Sequence, residues 1–287
     1  MEKIRFTIFI VLAVILCIIS IVAPYIIPND PYKVDLLKAL QPPSEEFPFG
    51  TDQLGRCLFS RVLCGGSSTI FSSLLLVTII FIVGTTIGVV CGYYGGIVDT
   101  IAMRIVDILL AFPGMVLAIA VAGLLGAGLK NAIIALSCIS WTKYARLSRS
   151  QVLSIRQNTF IEAAKMGGNN SFQIIFCHIL PNVAGTLVVT ATLDIGVMIM
   201  ELAGLSFLGL GALPPAPEWG SMMNQGRSML QHAPWLTLFP GGAILITVMI
   251  FNLLGDSVRD MLDPKQRKII FAKKNKNIGI KGEIGNV

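Results

Sequence analysis

Long apolar runs alternate with polar stretches along this chain. The runs cover residues 6–23, 70–90, 105–125, 131–147, 183–208 and 235–254. About 20 apolar residues suffice for a helix to cross a hydrocarbon core of about 30 Å. The pattern therefore predicts an all-α, polytopic integral membrane protein with six transmembrane helices. The first run is 18 residues long and ends in APYIIP. A cleaved leader has a core of about 7–15 residues and a small-residue cleavage site, so this run reads as an uncleaved span. Pro113 is expected to kink the third span. The fourth is the weakest, with an apolar core of only 132–141, and Lys143 and Arg146 are expected to snorkel to the interface.

The polar stretches organise the rest. Residues 1–27 hold the N-terminus and first span. Residues 28–69 are proline-rich and read as extracytoplasmic, and 70–264 form a five-helix core. Residues 148–181 are a polar loop inside that core, 209–234 an outer segment, and 265–287 a basic tail. Of 22 lysines and arginines, 16 fall on one side of this arrangement, which places both termini and the 148–181 loop in the cytoplasm.

Composition agrees. Hydrophobic residues make up 54% and charged residues 13%, and mean hydropathy is +0.76, whereas soluble domains are about 25% charged. The net charge of +6 reflects membrane orientation rather than nucleic acid. The six cysteines include no C-x-x-C pair and read as free thiols in apolar runs; only Cys57 and Cys64 offer a disulfide.

Catalytic signatures are missing. There is no G-x-x-x-x-G-K-[ST] phosphate cradle, and Gly65-Gly66-Ser67-Ser68 lacks both its lysine and its spacing. No H-E-x-x-H occurs, and the two histidines are His178 and His232. The chain does not read as an enzyme, and no cofactor or metal site is expected.

The stretch from Glu162 to Asn182, EAAKMGGNNSFQIIFCHILPN, is the marked interruption. Its first residues favour helix, and Gly167-Gly168-Asn169-Asn170 breaks it. Ser171 is placed to cap a second helix over 172–179. Phe172, Ile175, Phe176 and Ile179 then form an apolar stripe that lipid, the chain itself or a partner must cover. Pro181 marks the return to the membrane.

The stretch resembles the EAA loop of permease subunits of binding-protein-dependent ABC importers: E-A-A, three residues, G, nine residues, I-x-L-P. Glu162, Ala163, Ala164, Gly168, Leu180 and Pro181 fit, while His178 replaces the isoleucine. H-I-L-P-N is usual in the dipeptide, oligopeptide and nickel branch. Further segments resemble that branch: Phe49-Gly50-Thr51-Asp52 with Leu54-Gly55-Arg56, Gly92-Tyr93-Tyr94-Gly95-Gly96, Ala111-Phe112-Pro113, Leu205-Ser206-Phe207-Leu208-Gly209, Glu218-Trp219-Gly220 and Asn252-Leu253-Leu254-Gly255-Asp256. Together they resemble the second, C-type permease of the pair over residues 1–264.

The resemblance implies a coupling helix, carrying Glu162 to Pro181 with Phe172 and His178, that docks on an ATPase. It implies a homologous permease, two ATP-binding subunits and an extracellular substrate-binding protein as partners, in a prokaryotic plasma (inner) membrane. Peptides, nickel or a nickel chelate are the implied cargo; 191–196 looks somewhat nickel-type. A secondary transporter, or a scaffold or sensor without an ATPase, is the alternative.

Three acids lie within expected spans. An aspartate at a span centre costs about 2.5–3.5 kcal/mol, so such groups face a cavity or partner. Asp194 and Glu201, two turns apart with Met198 between them, share a helix face. That face either lines a translocation path or makes helix–helix bonds. Asp107 is expected to pair with Arg104 or backbone. Met198, Met200, Met222, Met223 and Met229 read as packing. Arg56 and Arg61 are expected to meet the receptor or anchor at headgroups.

Overall fold

The computed structural model describes residues 2–262, which are helix, turn or loop apart from one isolated β-bridge between Thr51 and Cys57. The expected tail 265–287 and the last two residues of the expected core lie outside the described residues. Helix α1 (Glu2–Ile26) leads into an irregular outer segment with one short 3-10 turn. Then come α2 (Leu58–Tyr94), α3 (Gly96–Leu110), α4 (Gly114–Leu125) and α5 (Leu129–Arg156). The hook follows: α6 (Thr159–Met166), the helical turn α7 (Ser171–Gln173) and a π-helical stretch Ile174–Ile179. Helices α8 (Leu180–Phe207), α9 (Trp219–Gly226) and α10 (Trp235–Leu262) complete the bundle.

Several boundaries differ from the sequence reading. Helix α2 begins at Leu58, so the end of the expected outer segment is helical, and α2 has 37 residues. Its rise of about 56 Å exceeds the membrane core. Its early polar side chains do not prevent helix, because Ser60 and Arg61 are buried against the outer segment. The expected third span is two helices bent by 90° at Ala111-Phe112-Pro113. Proline removes a donor and pushes the preceding residue out of the α region, so the chain breaks here rather than kinks. Helix α5 starts before and ends after the expected fourth span, and it is too polar to count as a span on its own. Among the described residues, four helices are long and apolar enough to cross a membrane, or five if the bent pair is one span. Length and composition alone thus support four or five of the expected six.

Helix α5 finds its place by close packing instead. Gly84, Gly88 and Gly92 recur every fourth residue along α2. A Cβ at Gly84 would strike the Trp141 carbonyl, and one at Gly88 would strike Ser148 Oγ and the Ala145 carbonyl. A Cβ at Gly92 would lie 2.8 Å from Val152 Cβ. Such small-residue stripes let two backbones meet, and dispersion then holds the pair without any hydrophobic drive from water.

The apolar core has three parts. One, running along α1, α2 and α10, gathers Leu58, Val62, Ile199, Trp219 and Phe251. A middle one gathers Leu76, Ile80, Ala118, Leu136, Met198 and Leu202. The third joins the hook to the bundle through Val89, Val152, Ile161, Ile174, Ile179, Val183 and Leu187.

Candidate functional site

The hook is built from two interlocking caps. At the end of α6 the Gly168 N–H donates to the Lys165 carbonyl at 3.1 Å, and the Asn169 N–H to the Ala164 carbonyl at 3.2 Å. This is a Schellman closure, which requires a left-handed residue between the two donors' ends. Gly168 supplies it with φ +83°, and a Cβ there would meet open space. The glycine of the E-A-A-x-x-x-G pattern is thus a conformational requirement, not a packing one.

Four residues on, a capping box starts the second helix. The Gln173 N–H donates to Asn170 Oδ1 at 2.8 Å, and the Asn170 N–H donates to Gln173 Oε1 at 2.9 Å. The cap is Asn170, one residue before the expected Ser171. Pro181 does not end this helix: residues 171–207 form one continuous helix of 37 residues. Proline near the start of α8 offers no N–H and crowds the carbonyl four residues back. The turns preceding it are widened into π geometry, a form common at functional sites. His178 sits where the generic pattern has isoleucine. Its Nε2 lies 3.0 Å from Asn169 Nδ2, and its carbonyl accepts from Asn182 Nδ2 at 2.6 Å. The imidazole therefore ties the glycine turn to the π-helix, a role an isoleucine cannot fill.

The expected apolar stripe divides in two. Ile174 and Ile179 are fully buried against the bundle, Ile161 joins them from α6, and Ile175 is half-buried. Burying each such side chain stabilises by about 1.5–3 kcal/mol, so this half holds the hook in place. Phe172 and Phe176 are 67% and 51% exposed, with ring centroids 4.3 Å apart. Met166 is 85% exposed, and Phe160, Glu162, Ala163 and Lys165 are also open. The hook is thus fixed from within and presents an apolar, aromatic surface.

The membrane acids behave differently from one another. Asp194 is buried. Its Oδ1 accepts from Lys143 Nζ at 2.6 Å and its Oδ2 from the Tyr144 hydroxyl at 2.8 Å, both on α5. Met198 is buried in the middle core, and Glu201 is half-buried. The three therefore do not share one environment. The face of α8 left open carries Asn182, Thr186, Val197 and Met200. Asp107 pairs with Arg146 Nη2 at 2.7 Å, not with Arg104, and Arg149 Nη2 reaches Asp99 Oδ2 at 2.6 Å. Lys143 and Arg146, expected to snorkel, instead hold carboxylates on α8 and α3. Sequence reasoning missed these three pairs because their members lie 39 to 51 residues apart. It also missed the Gly84, Gly88 and Gly92 stripe, although that spacing is visible in the sequence.

The outer segments form a cap closed on itself. Asp52 takes Arg56 Nε at 2.7 Å, and Arg61 Nη1 donates to the carbonyls of Pro31 and Pro215 at 3.0 and 3.3 Å. Arg56 and Arg61 are both buried, so neither is available to a receptor or to headgroups. Glu218 is fully buried and caps α9 by accepting the N–H groups of Gly220 and Ser221, each at 2.8 Å. Trp219 Nε1 donates to the Val62 carbonyl at 2.8 Å, and Gly65 and Gly66 leave room for its ring. The glycine pair that resembled a phosphate loop is a seat for tryptophan. The six cysteines are free thiols, Cys57 and Cys64 included.

The chain is similar to known proteins. Residues 84–268 match the family model described as "Binding-protein-dependent transport system inner membrane component". The chain belongs to that family. It is 45% identical over 87% of its length to the dipeptide transport system permease protein DppC of Alkalihalophilus pseudofirmus, covering 82% of that protein. It is 44% identical over 89% of its length to the probable D,D-dipeptide transport system permease protein DdpC of Escherichia coli K12, covering 86% of it. A third relative, the glutathione transport system permease protein GsiD of Pectobacterium atrosepticum, is 44% identical over 88% of this chain and 84% of its own. Among solved structures, an inward-facing MetNI methionine ABC transporter gives a TM-score of 0.57 at 19% identity, covering 72% of this chain and 98% of that one. That likeness concerns the fold. The chain is a multi-pass inner-membrane permease of an ABC importer, which implies ATP-binding and substrate-binding partners.

Proposed function

We propose that this chain is one half of the membrane path of an ATP-driven importer for short peptides, and that the hook 159–181 docks on its ATPase. The observation that carries the docking is the hook itself. It is a polar interruption pinned by buried Ile161, Ile174 and Ile179, and it exposes Phe172, Phe176 and Met166. Exposed aromatic anchors surrounded by polar residues are what a protein groove takes. Glu162, Ala163, Ala164, Gly168, His178, Leu180 and Pro181 shape or flank that surface.

Peptide cargo is supported by the relatives, whose names state dipeptide and glutathione transport. Nickel finds no support in them, and neither does a secondary transporter or scaffold. In this reading the chain pairs with a homologous permease, both termini and the hook lie in the cytoplasm, and six crossings include the bent pair and α5. The open face of α8 with Glu201 lines the path, while Asp194 and Met198 support it from behind. The test is co-purification of the tagged permease with its ATPase. Phe172→Ala with Phe176→Ala should abolish capture of the ATPase while leaving the permease folded. Undiminished capture would refute the docking.

A further inference from the structure

Helix α5 enters the hook and α8 leaves it, so both ends of the hook are arms of the same bundle. The two arms share apolar packing, and their polar link among the described residues is one buried carboxylate. Asp194 on α8 takes Lys143 Nζ at 2.6 Å and the Tyr144 hydroxyl at 2.8 Å. Tyr144 is fully buried and packs edge-on against Phe81 at 5.7 Å, which fixes its ring. The Lys143 side chain is 56% exposed, whereas that of Asp194 is 3% exposed. The same helix α5 is seated on α2 through Gly84, Gly88 and Gly92. It is tied to α3 by Arg146–Asp107 and Arg149–Asp99. Helix α5 is therefore fastened to α2, α3 and α8, and among the described residues its ion pair to α8 is with Asp194.

We propose that Lys143 and Tyr144, acting through Asp194, are positioning residues that lock α5 to α8, so that a displacement of the hook is delivered to the open face of α8. This rests on the docking reading above. Removing either charge breaks the pair, and the two arms are then held by apolar packing alone, which is not directional. A mere contribution to stability would not produce that uncoupling.

The test uses the assembled transporter in proteoliposomes, with Cys138→Ser and Cys177→Ser removing the two exposed thiols. A single probe, Val197→Cys, is placed on the open face of α8, where Val197 is 45% exposed. Its rate of labelling by a maleimide is measured with and without ATP and vanadate, beside vanadate trapping of the ATPase. In the parent and in Lys143→Arg, trapping should change the labelling rate by about 5-fold or more, within the usual range of coupling between sites. In Lys143→Gln and in Asp194→Asn, trapping should proceed while the labelling response disappears. Lys143→Gln sits at a half-exposed position, so it folds even if Asp194→Asn does not. A full response in both variants would overturn the lock, as would loss of trapping together with the response. A parent that traps vanadate yet shows no change at Val197 would overturn it too, whereas a parent that captures no ATPase would sink the docking reading itself.

Discussion

The outer cap and the inner hook are both polar interruptions between apolar helices, yet they use their polar groups in opposite ways. In the cap, Asp52, Arg56, Arg61 and Glu218 are buried and spend their bonding on one another and on nearby backbone. In the hook, backbone groups are closed by the Gly168 turn and the Asn170 box, and the side chains that remain open include the large apolar ones of Phe172, Phe176 and Met166. The cap bonds largely within itself and acts as scaffold, although Arg61 Nη2 is buried without a partner. The hook is self-supported but leaves an apolar surface that water does not stabilise. The cap exposes Leu36 and Leu37 as well, so what sets the hook apart is its adjacent pair of aromatic rings, Phe172 and Phe176, on a segment whose backbone is already satisfied.

That contrast can be broken by substitution, beginning where the effect should be greatest. Asp52→Ala strips the carboxylate from buried Arg56 and Arg61. Leaving buried charge unpaired costs about 3–5 kcal/mol, so thermal unfolding in detergent should fall steeply or folded protein should be lost. A melting curve like the parent's would show that the cap is not a closed network. Glu218→Ala removes the α9 cap and its two backbone bonds. A loss of about 2–3 kcal/mol is expected from charged hydrogen bonds left unmade, read by the same melting curves.

Gly88→Ala should cost about 1–3 kcal/mol by overpacking, because its Cβ would meet Ser148 Oγ and the Ala145 carbonyl. Pairing it with Ser148→Ala should recover part of the loss, and no recovery would argue against a tight α2–α5 seam. Gly168→Ala meets no atom, but its φ of +83° is left-handed. The cost should be about 1–2 kcal/mol, confined to the hook and seen as faster hydrogen exchange there. The smallest effect on the fold belongs to Phe172→Ala, within about 0.5 kcal/mol as for open surface positions. That variant should instead weaken ATPase capture, so the cap and hook variants should separate cleanly in two assays.

Much of this was legible in the residues. The helical class, the family and the hook's turn follow from local patterns: apolar runs, E-A-A-x-x-x-G and H-I-L-P-N. The 90° break at Pro113 was signalled but understated as a kink, since Gly114 beside Phe112-Pro113 gives the chain no reason to resume the same axis. The cap at Asn170 rather than Ser171 is a one-residue choice between two good capping side chains, decided by which one Gln173 can reach in return.

The sequence alone determined what is local: the periodicity that makes helices, the glycine where a left-handed turn is required, and the mismatch of a polar stretch among apolar ones. Tertiary structure decided which charges meet. Lys143 reads as a snorkelling lysine and Asp194 as an acid sharing a helix face with Glu201, and nothing along the chain joins two residues 51 positions apart. Only the packing of α5 onto α2 and α8 brings them to 2.6 Å. The reason is physical. Helices form through bonds between near neighbours, but a charge inside a membrane is stabilised by whichever opposite charge the fold delivers, and that depends on every crossing at once.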